Sequence, residues 1–152
     1  MDDRRGGLLG WIKRSAGTLA ALAVGALIAL IMLAGRIQVT LSDDRLIVKG
    51  PVMYAAEGAY EDIQGLNQRL ELDPGQRLYG YGGHRVRAGD YHNDEFGDYR
   101  LYIYNSVPNY YIDVVTPKGH LVFNASSKDE TEALYQSLAE RLAPQDIESE
   151  TP

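Results

Sequence analysis

Apolar and polar residues alternate along several short segments of the chain, a period typical of β-strands with one buried face. In Arg36–Leu41 the apolar side chains occupy every second position. The polar turn Ser42–Asp44 leads into Arg45–Lys49, so these segments predict a β-hairpin. Two further candidates, Val52–Tyr60 and Leu66–Leu72, follow; the second would also suit a helix, and we expect a strand at both.

Tyrosine, isoleucine and valine dominate two later segments, Asp98–Tyr104 and Tyr110–Thr116. Asn105–Asn109 joins them with turn-forming residues, which predicts a second hairpin. The turn Pro117–Gly119 then leads to His120–Phe123. The three segments together predict a meander of short strands.

The hydrophobic period changes near the end of the chain. Leu134, Leu138 and Leu142 recur at four-residue spacing, which predicts an amphipathic helix with one apolar stripe. Ser127–Glu130 has the pattern of a capping box at its start. The acidic tail 144–152 begins with a proline, which ends the helix, and we expect this tail to be disordered.

The longest apolar segment is Ala16–Gly35, twenty residues without a charge. As a helix it would span about 30 Å, the thickness of a bilayer's hydrocarbon core, so we predict a transmembrane helix behind a basic segment, residues 1–15. A buried helix and a cleaved secretory signal are the alternatives. A signal's apolar core is shorter, and Leu33 would be a poor residue three positions before a cut after Gly35. A retained signal anchor is therefore the preferred interpretation.

Basic residues on the two sides of this segment predict its orientation. Those before it are Arg4, Arg5, Lys13 and Arg14, and those soon after it are Arg36, Arg45 and Lys49. The excess before the segment favours a cytoplasmic N-terminus with the following domain outside.

The remainder of the chain is acidic and has no cysteine. Residues 36–152 contain 11 basic and 19 acidic residues, a formal charge of −8. Nucleic acid and an anionic bilayer surface are therefore poor partners for it. Without cysteine there can be no disulfide, thiolate nucleophile or cysteine metal site.

The glycine-rich stretch Leu78–Gly97 predicts either a loop or a bent, bulged strand. It holds imidazole and carboxylate groups of the kind that bind zinc or another divalent ion. These residues are His84, Asp90, His92, Asp94 and Glu95. Their spacing matches no compact ligand motif, so we expect a polar loop without a metal, and His84, His92 and Asp94 are the candidates if one binds.

The same stretch supplies the candidates for binding a partner. Tyrosine is favoured in recognition surfaces. For the tyrosines clustered on the predicted strands, cross-strand packing is the alternative role; these are Tyr99, Tyr102, Tyr104, Tyr110 and Tyr111. Arg85 and Arg87 would share one face of an extended segment, as an anion site or as solvated arginines paired with Asp90 or Asp94. The partner-binding candidates are Tyr79, Tyr81, His84, Arg85, Arg87 and Tyr91. The chain has neither a nucleophile-elbow motif nor a phosphate-binding loop, and we predict no catalytic residues and no cofactor.

The order of several segments resembles the bacterial pleckstrin-homology-like (PH-like) domain family over Ile37–Leu142. The segments are RLIVKGP, AYEDIQGL, RLYGYGGHRVRAGDY, DYRLYIYNSVPNYYIDVVTPKGHLVFNASS and DETEALYQSLAERL. The chain departs from the commoner pattern at Tyr91–Glu95, which is more acidic. The resemblance implies a mainly β domain, residues 36–143, built as a partly open barrel of about seven antiparallel strands with a C-terminal helix at one end. It also implies transmembrane helices in front of the domain.

Eukaryotic pleckstrin-homology domains bind inositol phosphates through a basic loop between their first two strands. The corresponding turn here, Ser42–Asp44, carries two carboxylates that would repel a phosphate. We therefore expect a single-pass protein of the bacterial cell membrane whose domain binds a protein or peptide and catalyses no reaction. The alternatives are a metal-binding sensor or metal-dependent hydrolase using His84 and His92, and a lipid-headgroup site using Arg85.

Overall fold

The computed structural model describes residues 18–19, 21–27, 35–51 and 55–143. The chain divides into two compact units, residues 1–35 and 36–152. In the first unit residues 18–19 and 21–27 are helical and their side chains are exposed. Within the described ranges no helix has both the length and the apolar character needed to cross a membrane. The rest of the predicted span, the basic segment 1–15 and the acidic tail 144–152 lie outside the described residues.

The described part of the second unit contains nine β-strands and one α-helix. The elements are β1 (Gln38–Leu41), β2 (Arg45–Lys49), β3 (Ala55–Ala59), β4 (Gly65–Arg69), β5 (Gln76–Gly82), β6 (Val86–Asn93), β7 (Gly97–Tyr104), β8 (Tyr111–Thr116), β9 (Gly119–Phe123) and α1 (Lys128–Leu142). A short 3-10 turn, Tyr60–Asp62, connects β3 towards β4. The domain is mainly β with a C-terminal helix, as the sequence predicts.

Sheet A is an antiparallel meander in the order β1-β2-β3. Val39 lies opposite Val48, and the backbone N–H of Ser42 donates to the carbonyl of Arg45 at 2.9 Å, which closes the turn. The first predicted hairpin is confirmed. The strand predicted at Val52–Tyr60 is confirmed over β3, and residues 52–54 lie outside the described part.

Sheet B has six strands in the order β4-β8-β9-β7-β6-β5. β7 and β9 pair in parallel, whereas the other neighbours are antiparallel. The predicted hairpin between the segments Asp98–Tyr104 and Tyr110–Thr116 is therefore wrong, because β9 lies between them. The expectation of about seven antiparallel strands is also corrected, to nine strands with one parallel pair in the described residues.

The buried side chain of Asn124 gives a physical reason for this pairing. Its amide oxygen accepts the N–H of Tyr104 at 2.7 Å, and its amide nitrogen donates to the carbonyl of Val107 at 3.0 Å. A buried amide must satisfy its hydrogen-bonding groups, and here it does so on the end of β7 and the following loop. Asn124, directly after β9, thus bonds the end of β7 and the loop that follows it. Because β9 lies between β7 and β8, the segment after β7 passes the end of β9 to reach β8.

Buried apolar residues lie on both faces of the four inner strands of sheet B, β6 to β9. One cluster joins sheet A, one face of sheet B and α1, and its fully buried members are Leu46, Val48, Ala88, Ile112, Val114, Phe123 and Leu138. A second cluster covers the opposite face and comprises Tyr91, Tyr99, Leu101, Ile103, Tyr111 and Val122. Successive strand residues point to opposite faces. Tyr102 and Ile103 are therefore both buried, one in each cluster.

Ser127 begins α1 as a helix cap. Its hydroxyl oxygen accepts the backbone N–H of Glu130 at 3.2 Å, and its carbonyl accepts the hydroxyl of Thr131 at 2.7 Å. The Glu130 carboxylate, which would bond the cap residue in a standard capping box, instead accepts the hydroxyl of Ser126. Leu138 is fully buried and Leu134 packs beside it. The predicted helix and its apolar stripe are confirmed.

Candidate functional site

β5 forms one edge of sheet B, and among the described residues it pairs only with β6. Its side chains include large apolar groups that face solvent: Leu78, Tyr79 and Tyr81 are 51%, 65% and 40% exposed. An edge strand presents a row of backbone donors and acceptors that another strand can pair with, and proteins usually blunt such edges with charges or a cover. β5 therefore has the character of a surface for recognition.

The glycine-rich stretch is a bent hairpin, β5–β6, and not a loop. A β-bulge interrupts the pairing between Arg77 and Tyr79. Beyond the bulge Gly80 lies opposite Gly89, and the two backbones approach closely there. The bent, bulged strand named as one alternative from the sequence is the arrangement present.

The two faces of the β5–β6 hairpin differ in chemistry, because residues opposite each other on paired strands share a face. On one face lie Tyr79 and Tyr81, opposite Asp90 and Ala88. The other face is basic, with Arg77 opposite Tyr91 and Gly82 opposite Arg87. The hairpin thus presents aromatic rings on one side and the guanidinium groups of Arg77 and Arg87 on the other.

Arg77 and Arg87 come together on the basic face. The Arg77 side chain lies along the strand over Gly82, so that its Nη1 occupies the place that a Cβ of residue 82 would need. Gly82 is in turn the cross-strand partner of Arg87. Burial raises the pKa of Tyr91, and the charges of Arg77 and Arg87 both oppose that rise. By the strand register, Tyr91 shares its face of the sheet with both arginines.

The arginines of the hairpin form no ion pair with any described residue. Asp90, one of the two partners that the sequence suggested for Arg85 and Arg87, instead lies 3.9 Å from the guanidinium of Arg100. Arg77, which directly precedes Leu78 in the sequence, was missed as a candidate. The position of its guanidinium group depends on the absence of a side chain at Gly82, five residues further along the strand.

Most of the partner-binding candidates occupy the exposed part of this hairpin. Tyr79, Tyr81, His84 and Arg85 are exposed and Arg87 is partly exposed. Tyr91 is different: it is 3% exposed and packs against Tyr99 with ring centroids 6.3 Å apart. It belongs to the second core cluster and does not contact solvent enough to bind a partner.

The metal candidates are not brought together. His84 lies in the turn before β6 and His92 near the strand's far end, about 25 Å away at the rise of a β-strand. His92 Nδ1 lies 2.7 Å from the carboxylate of Asp98. In the described part of the chain no group of three or more histidine, cysteine, aspartate or glutamate side chains is arranged to hold a metal ion. The metal-dependent alternative gains no support from this geometry.

A second polar cluster surrounds the fully buried carboxylate of Asp113 in β8. His120 Nδ1 lies 2.8 Å from Oδ1, and Arg69 Nε donates to Oδ2 at 2.9 Å. A buried charge is strongly unfavourable unless it is paired and hydrogen-bonded, and these two side chains satisfy both needs. The sequence carried a signal for this cluster, because Asp113 is a lone charge inside the apolar strand YYIDVVT.

Phe96 completes this cluster by packing its ring against both His120 and Arg69. Its ring centroid lies 4.4 Å from that of His120 and 4.5 Å from the guanidinium carbon of Arg69. Burial lowers the pKa of Arg69, but hydrogen bonds to Asp113 and Glu95 outweigh it and raise that pKa overall. These contacts tie β4, β8 and β9 to the turn between β6 and β7, which is the arrangement of a structural clamp.

Together, the fold and the β5–β6 hairpin define a class: a mainly β domain of two sheets and a C-terminal helix, with a hairpin at the edge of the larger sheet that carries arginines and exposed tyrosines. Comparisons with family models, curated proteins and solved structures find no match for the chain. Function is therefore inferred from the site, since function resides in the site and not in the fold alone.

Proposed function

We propose that this protein is a membrane-anchored, non-enzymatic binding module in which β5 receives an extended segment of a partner protein as an added strand. The observation that carries the proposal is the edge position of β5 together with its exposed apolar side chains at Leu78 and Tyr81. In strand addition, main-chain hydrogen bonds supply affinity and alternate side chains supply specificity. β5 offers both the backbone groups of an edge strand and exposed alternating side chains.

The resemblance to the bacterial PH-like family remains part of the proposal. Two features support it: the two sheets share a core cluster, and α1 packs against that cluster through Leu138. The parallel pairing of β7 with β9 departs from the all-antiparallel arrangement that the resemblance implies. The proposed mode of binding depends on β5 alone and holds whichever fold family the domain belongs to.

We propose further that Ala16–Gly35 anchors the domain in the bacterial cell membrane, with the N-terminus cytoplasmic and the domain outside. Twenty uncharged residues support the anchor, and so do the exposed apolar side chains of the described helical residues Leu19, Leu22, Val24 and Leu27. The full chain should remain in the membrane pellet after an alkaline carbonate wash. Release into the supernatant would contradict the anchor.

Site-directed crosslinking in native membranes tests the binding proposal. A photoreactive amino acid at Gln76, on the edge strand, should give a discrete adduct with a partner, whereas the same group at Gln136, an exposed position of α1, should not. Leu78→Pro removes a backbone donor from β5 and should abolish the adduct. Leu70→Ser removes an exposed apolar side chain outside the strands and should leave it unchanged. An adduct that survives Leu78→Pro would contradict strand addition.

A further inference from the structure

We infer that the segment bound by β5 carries acidic residues at alternate positions, with apolar or aromatic residues between them. This inference rests on the strand addition proposed above and names the chemistry of the partner. It follows from three features of the hairpin: its charge, the placement of its arginines and the alternation of its two faces.

The hairpin is basic within an acidic domain. From Gln76 to Asn93 the hairpin has three arginines, two histidines and one acidic residue, Asp90, which lies opposite Tyr79 on the aromatic face, whereas residues 36–152 as a whole carry a formal charge of −8. A basic patch on an acidic surface attracts acidic ligands and repels basic ones. An acidic segment would thus be drawn to β5 and repelled by most of the remaining surface.

The arginines are available to a ligand. Within the described residues no carboxylate is paired with Arg77, Arg85 or Arg87, so an incoming carboxylate displaces no internal partner. The Arg77 guanidinium lies over Gly82, the strand position opposite Arg87. A guanidinium group is well suited to a carboxylate because its donors form a planar fork.

The alternation of the two faces sets the pattern of the ligand. Side chains of an added strand would point alternately to the basic face of Arg77 and Arg87 and to the aromatic face of Tyr79 and Tyr81. Acidic residues at every second position would point to the face that holds the guanidinium groups of Arg77 and Arg87, and the intervening residues would point to the face of the tyrosine rings. An acidic run without alternation would place half of its carboxylates against the rings.

Two peptides of identical composition test the inference. One alternates glutamate and valine, and the other has the same residues in two blocks; each carries a fluorophore and is titrated against the full chain in nanodiscs of phosphatidylcholine. The alternating peptide should bind about tenfold more tightly, which corresponds to a difference of ~1.4 kcal/mol. Equal affinities would overturn the inferred pattern.

Matched substitutions identify the residues responsible. Arg77→Gln should weaken the alternating peptide about fivefold, as expected for the loss of one exposed ion pair. Lys118→Gln, at an exposed cation in the β8–β9 turn, should have no effect. Equal losses in the two variants would show a general charge effect and overturn the assignment to Arg77.

Two further outcomes separate this inference from the proposed function. If an alternating glutamine–valine peptide binds as well as the glutamate peptide, and Leu78→Pro abolishes both, strand addition holds and the acidic partner is wrong. If no peptide binds but phosphatidylglycerol vesicles associate with the nanodisc-held protein through Arg77, the arginines serve a lipid surface. That second result would overturn both proposals.

Discussion

Gly80 and Gly89 face each other across the β5–β6 pair, and both have positive φ angles, of 121° and 142°. A Cβ on Gly80 would fall against the carbonyl oxygen of Ala88, and a Cβ on Gly89 against the carbonyl oxygen of Tyr79. Both obstacles are backbone atoms, which cannot rotate away as the end of a side chain can. The bend of the edge strand therefore depends on two residues that have no side chain.

Gly89→Ala is expected to lower the free energy of unfolding by about 2 kcal/mol, because it adds backbone strain and a clash with the facing strand. Gly97→Ala is the matched control: its φ is 67°, but a Cβ there meets no atom within 4 Å. Its only cost should be the strain of an alanine in the left-handed backbone conformation, about 1 kcal/mol of unfolding free energy. Urea denaturation of the full chain in detergent measures both. Equal costs would contradict the close approach of β5 and β6.

Asp113→Asn should destabilise the domain by about 3 kcal/mol, because it leaves Arg69 and His120 without the buried charge that they pair with. Asp98→Asn is a control of the same kind, since Asp98 also pairs with a histidine, at 2.7 Å, but its side chain is 79% exposed. Exposed pairs contribute less than about 1 kcal/mol. The same denaturation experiment compares the two, and similar losses would show that the Asp113 cluster does not act as a clamp.

Local structure could be predicted from the sequence because period and caps are local properties. The four-residue spacing of Leu134, Leu138 and Leu142 and the cap at Ser127 specify α1 without reference to the rest of the chain. Pairing could not be predicted in the same way. The strand composition around Tyr104 is equally compatible with either neighbour, and the choice depends on Asn124, twenty residues away, which bonds its backbone.

The candidate site shows the same division between local and long-range information. The stretch Leu78–Gly97 could be selected from composition, since tyrosine, glycine and arginine occur together there. Sequence could not show that Tyr91 is buried, because that depends on the second core cluster covering the other face of sheet B. Nor could it show that Arg77 lies over Gly82, because the bulge after Arg77 changes which residues share a face.

Ser127→Ala should lower the free energy of unfolding by about 1 kcal/mol, because it removes the acceptor for the Glu130 N–H at the start of α1. Ser137→Ala, inside the same helix, should be neutral or stabilise by up to about 0.5 kcal/mol, since alanine has the higher helix propensity. Thermal unfolding followed by circular dichroism distinguishes the loss of stability expected for Ser127→Ala from the neutral or stabilising effect expected for Ser137→Ala. A Ser127→Ala protein as stable as the parent would show that the cap does not contribute.

Alkaline pH should unfold the domain through its buried tyrosines. Burial raises the pKa of Tyr102 from its ordinary value of 10.0 to about 12, and burial also raises the pKa of Tyr99. Both phenols are neutral in the folded state, so stability is independent of them below pH 10. Above pH 10 the unfolded chain loses these phenol protons whereas the folded chain keeps them. The free energy of unfolding therefore falls as the pH rises towards the pKa of the folded state. For Tyr102 the loss should approach about 3 kcal/mol between pH 10 and 12.

The measurement is a pair of titrations on the full chain, with tyrosinate absorbance reporting ionisation and circular dichroism reporting unfolding. The tyrosinate absorbance of the buried phenols should appear only above pH 10, together with the loss of β-structure, because these phenols ionise when the domain unfolds. Tyr102→Phe removes one of these protons and should reduce the slope of stability against pH above 10. All tyrosines ionising in one step near pH 10, with the β-structure retained, would contradict the burial of Tyr99 and Tyr102 on the two faces of sheet B.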